Sequence, residues 1–165
     1  MKKLLSLYIV GILVLSGVGA VVITNGKTND MKIKIESIAI SKPVIKDEGQ
    51  YVTVSFEEAT ASLSDSGKPM LPILTKVFTF PFNTQISSVD VSFSDTKELS
   101  LSKEVKPTEG QIPLDMTMGN DLIKNLTTYE SAELYPATGY SYTVGAGLDG
   151  KEHVIYLAVQ FHPIR

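Results

Sequence analysis

Cysteine and tryptophan are absent from the 165 residues, and histidine occurs only twice. Without cysteine there is no disulfide, no thiolate nucleophile and no Cys-based metal site. His153 and His162 sit near the carboxyl end. On an unbroken strand they would face opposite ways, and no Gly-x-Ser-x-Gly elbow accompanies them. They read as surface or edge residues. Charge of one sign is scarce as well: 15 Lys and Arg against 18 Asp and Glu give a formal charge of −3 with no basic stripe, which argues against nucleic-acid binding. The acidic pairs Asp47-Glu48 and Glu57-Glu58 are neighbours on an extended chain, point apart and read as solvated, not as acid–base dyads. Residues 145–150 hold one carboxylate, Asp149, too few oxygens for calcium. No catalytic residue, metal or cofactor is expected.

What the sequence does have is apolar residues, 43% of the chain, enough at this length for one domain with a real core. Met1-Lys2-Lys3 followed by the apolar stretch 4–23 reads as a signal peptide or an amino-terminal membrane anchor. Val18-Gly19-Ala20 has the small-residue pattern of a signal-peptidase site, so one alternative is cleavage after Ala20; the other is an uncleaved anchor. Either way the two lysines stay inside and the bulk of the chain is exported. Residues 1–23 therefore form the targeting segment, 24–31 a polar spacer and 32–165 the folded domain. Contact with a membrane is expected only through the first segment.

Short runs of alternating hydrophobicity fill the domain. Ile33, Ile35, Ile38 and Ile40 predict one strand with a slip, and 42–50 a turn carrying Pro43, Asp47 and Gly49. Val52, Val54 and Phe56 face one side of a half-buried strand. Val89, Val91 and Phe93 predict another, with Leu99 and Leu101 continuing after a turn at Ser94-Asp95-Thr96. Residues 57–67 and 103–113 read as loops, and 121–126 as a short helical turn. A strand begins at Tyr140, a hairpin connection follows at 145–150, and the last strand is apolar on both faces, so it is central or partner-covered. Seven or eight strands with Gly/Pro turns and almost no helical period predict an all-β antiparallel sandwich.

The most punctuated stretch is Gly67-Lys68-Pro69-Met70-Leu71-Pro72, leading into the apolar run 73–80 and Pro81. Two prolines three residues apart fix φ twice, remove two donors and push Lys68 and Leu71 toward extended conformations. Gly67 closes a Ser/Asp/Gly loop and tolerates positive φ. The result is a stiff extended lead-in to a strand. Asn125-Leu126-Thr127 is a glycosylation sequon on a chain read as exported. Tyr129, Tyr135, Tyr140 and Tyr142 offer either a sugar-stacking platform or cross-strand aromatic pairs.

Gly67-x-Pro69-x-Leu71-Pro72 ahead of a strand resembles the opening signature of the propeptide domain of gingipain-type cysteine peptidases. The order continues with Pro81, the valine-rich run 89–93, Pro113, Tyr129, Tyr135-Pro136, a Gly-rich hairpin and a final apolar strand ending near Pro163, together covering about 52–165. The resemblance implies a β-sandwich placed before a caspase-like peptidase. Such a domain assists folding and keeps the zymogen silent, with a basic side chain offered to the specificity pocket. No motif around that cation is matched here; Lys103, Lys106 and Lys124 are the candidates. The expected partner is a cysteine peptidase domain in cis or in trans. Because the sequence stops at Arg165 without a peptidase domain, a truncated gene or a stand-alone inhibitor-like domain is expected. A different class of function, an extracellular carbohydrate-binding or adhesive sandwich, is the alternative.

Overall fold

The computed structural model describes residues 6–11, 19–24, 31–109 and 124–165, with side chains described from residue 34 onward. In chain order the elements are β1 (Ser6–Gly11), β2 (Gly19–Thr24), β3 (Met31–Ile35), β4 (Val44–Glu48) and β5 (Tyr51–Ser55). They continue with β6 (Ala61–Ser62), β7 (Pro72–Pro81), β8 (Thr84–Asp90), β9 (Ser94–Ser100) and β10 (Glu104–Val105). The short helix α1 (Leu126–Glu130) precedes β11 (Tyr140–Asp149) and β12 (Glu152–Phe161). The fold is all-β. Strands outnumber the seven or eight expected because very short or wholly exposed strands carry no hydrophobic pattern to read. All five residues of β4 are exposed, and β6 and β10 are two residues each.

Four sheets are present among the described residues: β11-β12-β7-β6, β10-β5-β4, β3-β2-β8 and β1-β9. Pairing is antiparallel except between β10 and β5, which run parallel and depart from the purely antiparallel expectation. The last strand is central, as its two apolar faces predict: β12 lies between β11 and β7. Its register sets Leu157 opposite Phe78, Ile155 opposite Phe80 and Phe161 opposite Leu74. These side chains meet Val52 and Val54 of β5 and Val105 of β10 in one hydrophobic cluster, joined by Ile38, Phe56, Leu71, Val89 and Ile164. Leu157 and Phe161 are fully buried. A row of period-two apolar residues from each sheet thus closes a common core, the physical basis of the sandwich.

Several local expectations are corrected. The isoleucine run is not one strand: β3 ends at Ile35 and 36–43 are irregular, although Ile38 still reaches the core. Residues 42–50 hold β4 and a turn at Gly49-Gln50, with Gly49 at φ 65°. The 57–67 loop contains β6. Strand β8 ends at Asp90, yet Val91 and Phe93 still pack on the core. In place of a turn at 94–96, β9 begins at Ser94, with Asp95 left-handed at φ 55°. β11 runs through the expected 145–150 connection to Asp149, and Gly150 turns at φ 63°. The helix starts at Leu126, the last residue of the expected 121–126 turn, with Lys124 and Asn125 not helical; residues 110–123, which include the start of that turn, lie outside the described set.

At the amino end, β1 pairs with β9 and β2 with β8 and β3. A cut after Ala20 would fall inside β2. Residues 1–5, 12–18 and 25–30, which carry parts of the expected targeting segment and spacer, lie outside the described residues. Among the described residues no helix is long and apolar enough to cross a membrane.

Candidate functional site: the proline junction and its lysines

Gly67 sits at φ 74°, where a residue without Cβ is favoured, and is buried. Its N–H donates to Thr108 O at 2.9 Å and its carbonyl accepts from Asn125 N at 2.8 Å. Thr108 N donates to Lys68 O at 2.8 Å, and Met70 N to Lys106 O at 2.9 Å. Pro69 and Pro107 therefore face each other across an antiparallel bridge, each at a position where the ladder asks for no donor. Lys106 N in turn donates to Val52 O at 2.8 Å, and Leu63 N to Leu71 O at 2.8 Å before Pro72 opens β7. The hexapeptide thus ties the β5–β10 sheet to the β6–β7 sheet, with Pro69, Leu71, Pro72 and Pro107 all buried. The stiff lead-in expected from the prolines is a backbone junction between the two layers of the sandwich.

The second half of the motif folds onto the first. Tyr135-Pro136 is a cis peptide, and the Tyr135 hydroxyl donates to Asp65 Oδ2 at 3.3 Å. Lys68 Nζ lies 5.4 Å from the centre of the Tyr135 ring and 3.1 Å from Asp65 Oδ2. Burial first, then the Asp65 charge, push the Tyr135 hydroxyl above its ordinary pKa. Asp65 went unnoticed in the sequence because nothing local ties a Ser-Asp-Ser-Gly loop to a tyrosine seventy residues on.

The three candidate lysines surround this junction, half-buried where exposed loops were expected. Lys103 Nζ holds Asp47 Oδ1 and Gly49 O, each at 2.6 Å, clamping the β4–β5 turn. Lys106 Nζ lies 3.4 Å from Glu48 and 3.9 Å from Glu109. Lys124 Nζ lies 2.6 Å from Glu104 and 4.6 Å from the centre of the Tyr129 ring. Each cation is thus matched inside the domain, and the pair Asp47-Glu48 is consumed in doing so. Glu58 is likewise structural: it accepts from Ser41 N at 2.9 Å and Ser41 Oγ at 2.8 Å, and the backbone N–H of Ser41 chiefly lowers its pKa.

Asn125 is the N-cap of α1, its Oδ1 accepting from Thr128 N at 3.1 Å. Tyr129, on that helix and 6% exposed, donates its hydroxyl to Val105 O at 2.6 Å. The four tyrosines form no common platform, and of the four Tyr140 alone stands in a cross-strand aromatic pair, opposite Phe161 of β12. Tyr129 is buried in α1, Tyr135 bonds Asp65, and Tyr140 donates to Val89 O at 3.0 Å; Tyr142 alone of the four is exposed. His153 is exposed beside Phe82 (ring centres 5.4 Å apart), but His162 is a core residue, not a surface one. Its Nδ1 lies 2.8 Å from Thr138 O, a partner that linear spacing does not reveal. Among the described residues no three His, Asp or Glu side chains gather as a metal site.

Compared with known proteins, the sequence matches the model of the Propeptide_C25 family over residues 24–165. No curated protein and no solved structure matches it. The matched span takes in the junction, both halves of the motif and the whole core cluster. The chain belongs to the Propeptide_C25 family, the N-terminal propeptide domains of gingipain-type cysteine peptidases.

Proposed function

We propose that this domain is the folding aid and latency module of a secreted gingipain-like cysteine endopeptidase, acting in cis or as a separate chain in trans. The observation that carries the reading is the family match across 24–165. Exported location, with residues 1–23 as leader or anchor, is part of the same proposal. Silencing a peptidase requires a preorganised surface, since each segment ordered on binding subtracts from affinity. The doubly bridged backbone at 67–70 and 106–108 supplies such rigidity.

A cation reaching a peptidase pocket must leave its internal partner. Lys106 has the longest ion-pair distances of the three candidates, 3.4 and 3.9 Å, and so gives up least. We assign it the leading inhibitory role, ahead of Lys103 and Lys124. The test is titration of the full chain against a purified gingipain-type peptidase domain. Competitive inhibition weakened by Lys106→Ala supports the proposal. An absence of inhibition by chain that unfolds cooperatively refutes the latency role, and undiminished inhibition by Lys106→Ala refutes the residue assignment.

A further inference from the structure

We propose that the free edge of β11 pairs antiparallel with β11 of a second copy of this chain, joining two four-stranded sheets into one. This goes beyond the latency reading and does not depend on it. Among the described residues β11 ends its sheet, with β12 on one side only. His162 N donates to Gly139 O at 2.7 Å, so Gly139 faces β12. Antiparallel alternation then turns the N–H and C=O groups of Tyr140, Tyr142, Val144, Ala146 and Leu148 to the open edge. The Leu148 carbonyl is already taken by the Tyr156 hydroxyl at 2.6 Å. That ring crosses over Gly147, where an added Cβ would stand 2.7 Å from it. The open stretch is therefore Tyr140 to Ala146.

This edge carries none of the devices that keep strand edges apart. Residues 140–148 include no proline and no charge. β4, by contrast, bears Lys46, Asp47 and Glu48, β9 bears Asp95, Lys97 and Glu98, and β6 is two residues long. A long, uncharged, partly apolar edge is a pairing surface. On the face that β12 turns to the core, β11 exposes Tyr142 (48%), Val144 (44%) and Leu148 (59%).

The strand fits itself. Setting Tyr142 opposite Val144 of the second copy, and Tyr140 opposite Ala146, brings outward donors against outward acceptors and aromatic against aliphatic side chains. Thr143 then lies on the two-fold axis, and Asp149 falls beyond the paired stretch, so no like charges oppose. Nothing charged on the edge demands a partner of opposite sign.

The experiment is sedimentation and oxidative cross-linking of the full chain. Because the protein has no cysteine, any disulfide in a single-cysteine variant identifies its own site. Thr143→Cys should yield a disulfide-linked dimer at least about tenfold faster than Lys46→Cys on the guarded β4 edge, since facing residues on the axis meet the geometry a disulfide needs. Val144→Lys should shift the dimer to monomer with an unchanged far-UV spectrum. If that variant fails to fold, the Thr143→Cys comparison decides alone. A strictly monomeric chain at about 100 µM, or equal cross-linking of the two variants, overturns the proposal. So does capture of a peptidase domain by the Val144 edge without self-association.

Discussion

Replacing Tyr129 by Phe deletes one oxygen and nothing else. The hydroxyl donates to Val105 O at 2.6 Å, and both residues are buried, Val105 completely. Phenylalanine keeps the ring under Lys124 Nζ, so the change isolates the hydrogen bond and leaves Val105 O without that donor. A carbonyl left unsatisfied in such a place costs about 1–2 kcal/mol. For a chain of this size that lowers Tm by about 2–8 °C. The same hydroxyl gives an independent pH signature. Burial, then the nearby Glu104 carboxylate, push its pKa above the ordinary value of 10.0. A group raised on folding contributes stability that is complete below the unfolded value and is lost as pH climbs past it. Above pH 10 the wild type should lose stability by about 1.4 kcal/mol per pH unit for this one proton. Tyr129→Phe removes that share of the slope, leaving the contribution of Tyr135, which is raised in the same direction. Urea midpoints at pH 8 and pH 11 measure both effects. A variant as stable as wild type at pH 8, or one with the full alkaline slope, refutes the reasoning.

Three further outcomes follow from other parts of the fold. Leu157→Ala, at a fully buried position opposite Phe78, should cost about 2–5 kcal/mol by denaturant unfolding; a loss below about 1 kcal/mol would mean the core closes around the gap. Gly67→Ala must place a Cβ at φ 74° while keeping two backbone bonds, and should cost about 1–2 kcal/mol, checked by thermal melts. Glu58 is held below its ordinary value of 4.5 mainly by the Ser41 backbone N–H, so its contribution is present above that pH and is lost as pH falls through the lower folded value. Glu58→Gln should therefore be less stable at neutral pH and show a shallower acid limb in melts from pH 7 to 3.

Which elements the sequence disclosed follows from how each buries its side chains. Val52, Val54 and Phe56 alternate because β5 has one dry face, and all three are core residues. β12 is apolar on both faces because it is central, and it lies between β11 and β7 as that pattern requires. β4 escaped notice because an edge strand with five exposed residues has no hydrophobic period to read. Ile38 looked like strand because burial alone repeats the signal: the irregular segment after β3 still inserts it into the core. The glycine-rich stretch 145–150 does not turn until Gly150 because glycine permits a turn without requiring one; Gly145 and Gly147 lie within β11, opposite Tyr156 and Val154.

By itself the sequence determined an all-β domain, a stiff proline-punctuated entry to β7 and the membership that its ordered short motifs imply, since periodicity and fixed φ are local properties of the chain. The tertiary structure decided what those pieces meet. It set Pro69 against Pro107, folded Tyr135 onto Asp65 and Lys68, gave each candidate lysine an acidic neighbour, and buried His162 against Thr138. Among the described residues it also left β11 paired on one side alone. Such pairings depend on which distant segments the packed core brings within hydrogen-bonding reach, and that distance is written in no local stretch of residues.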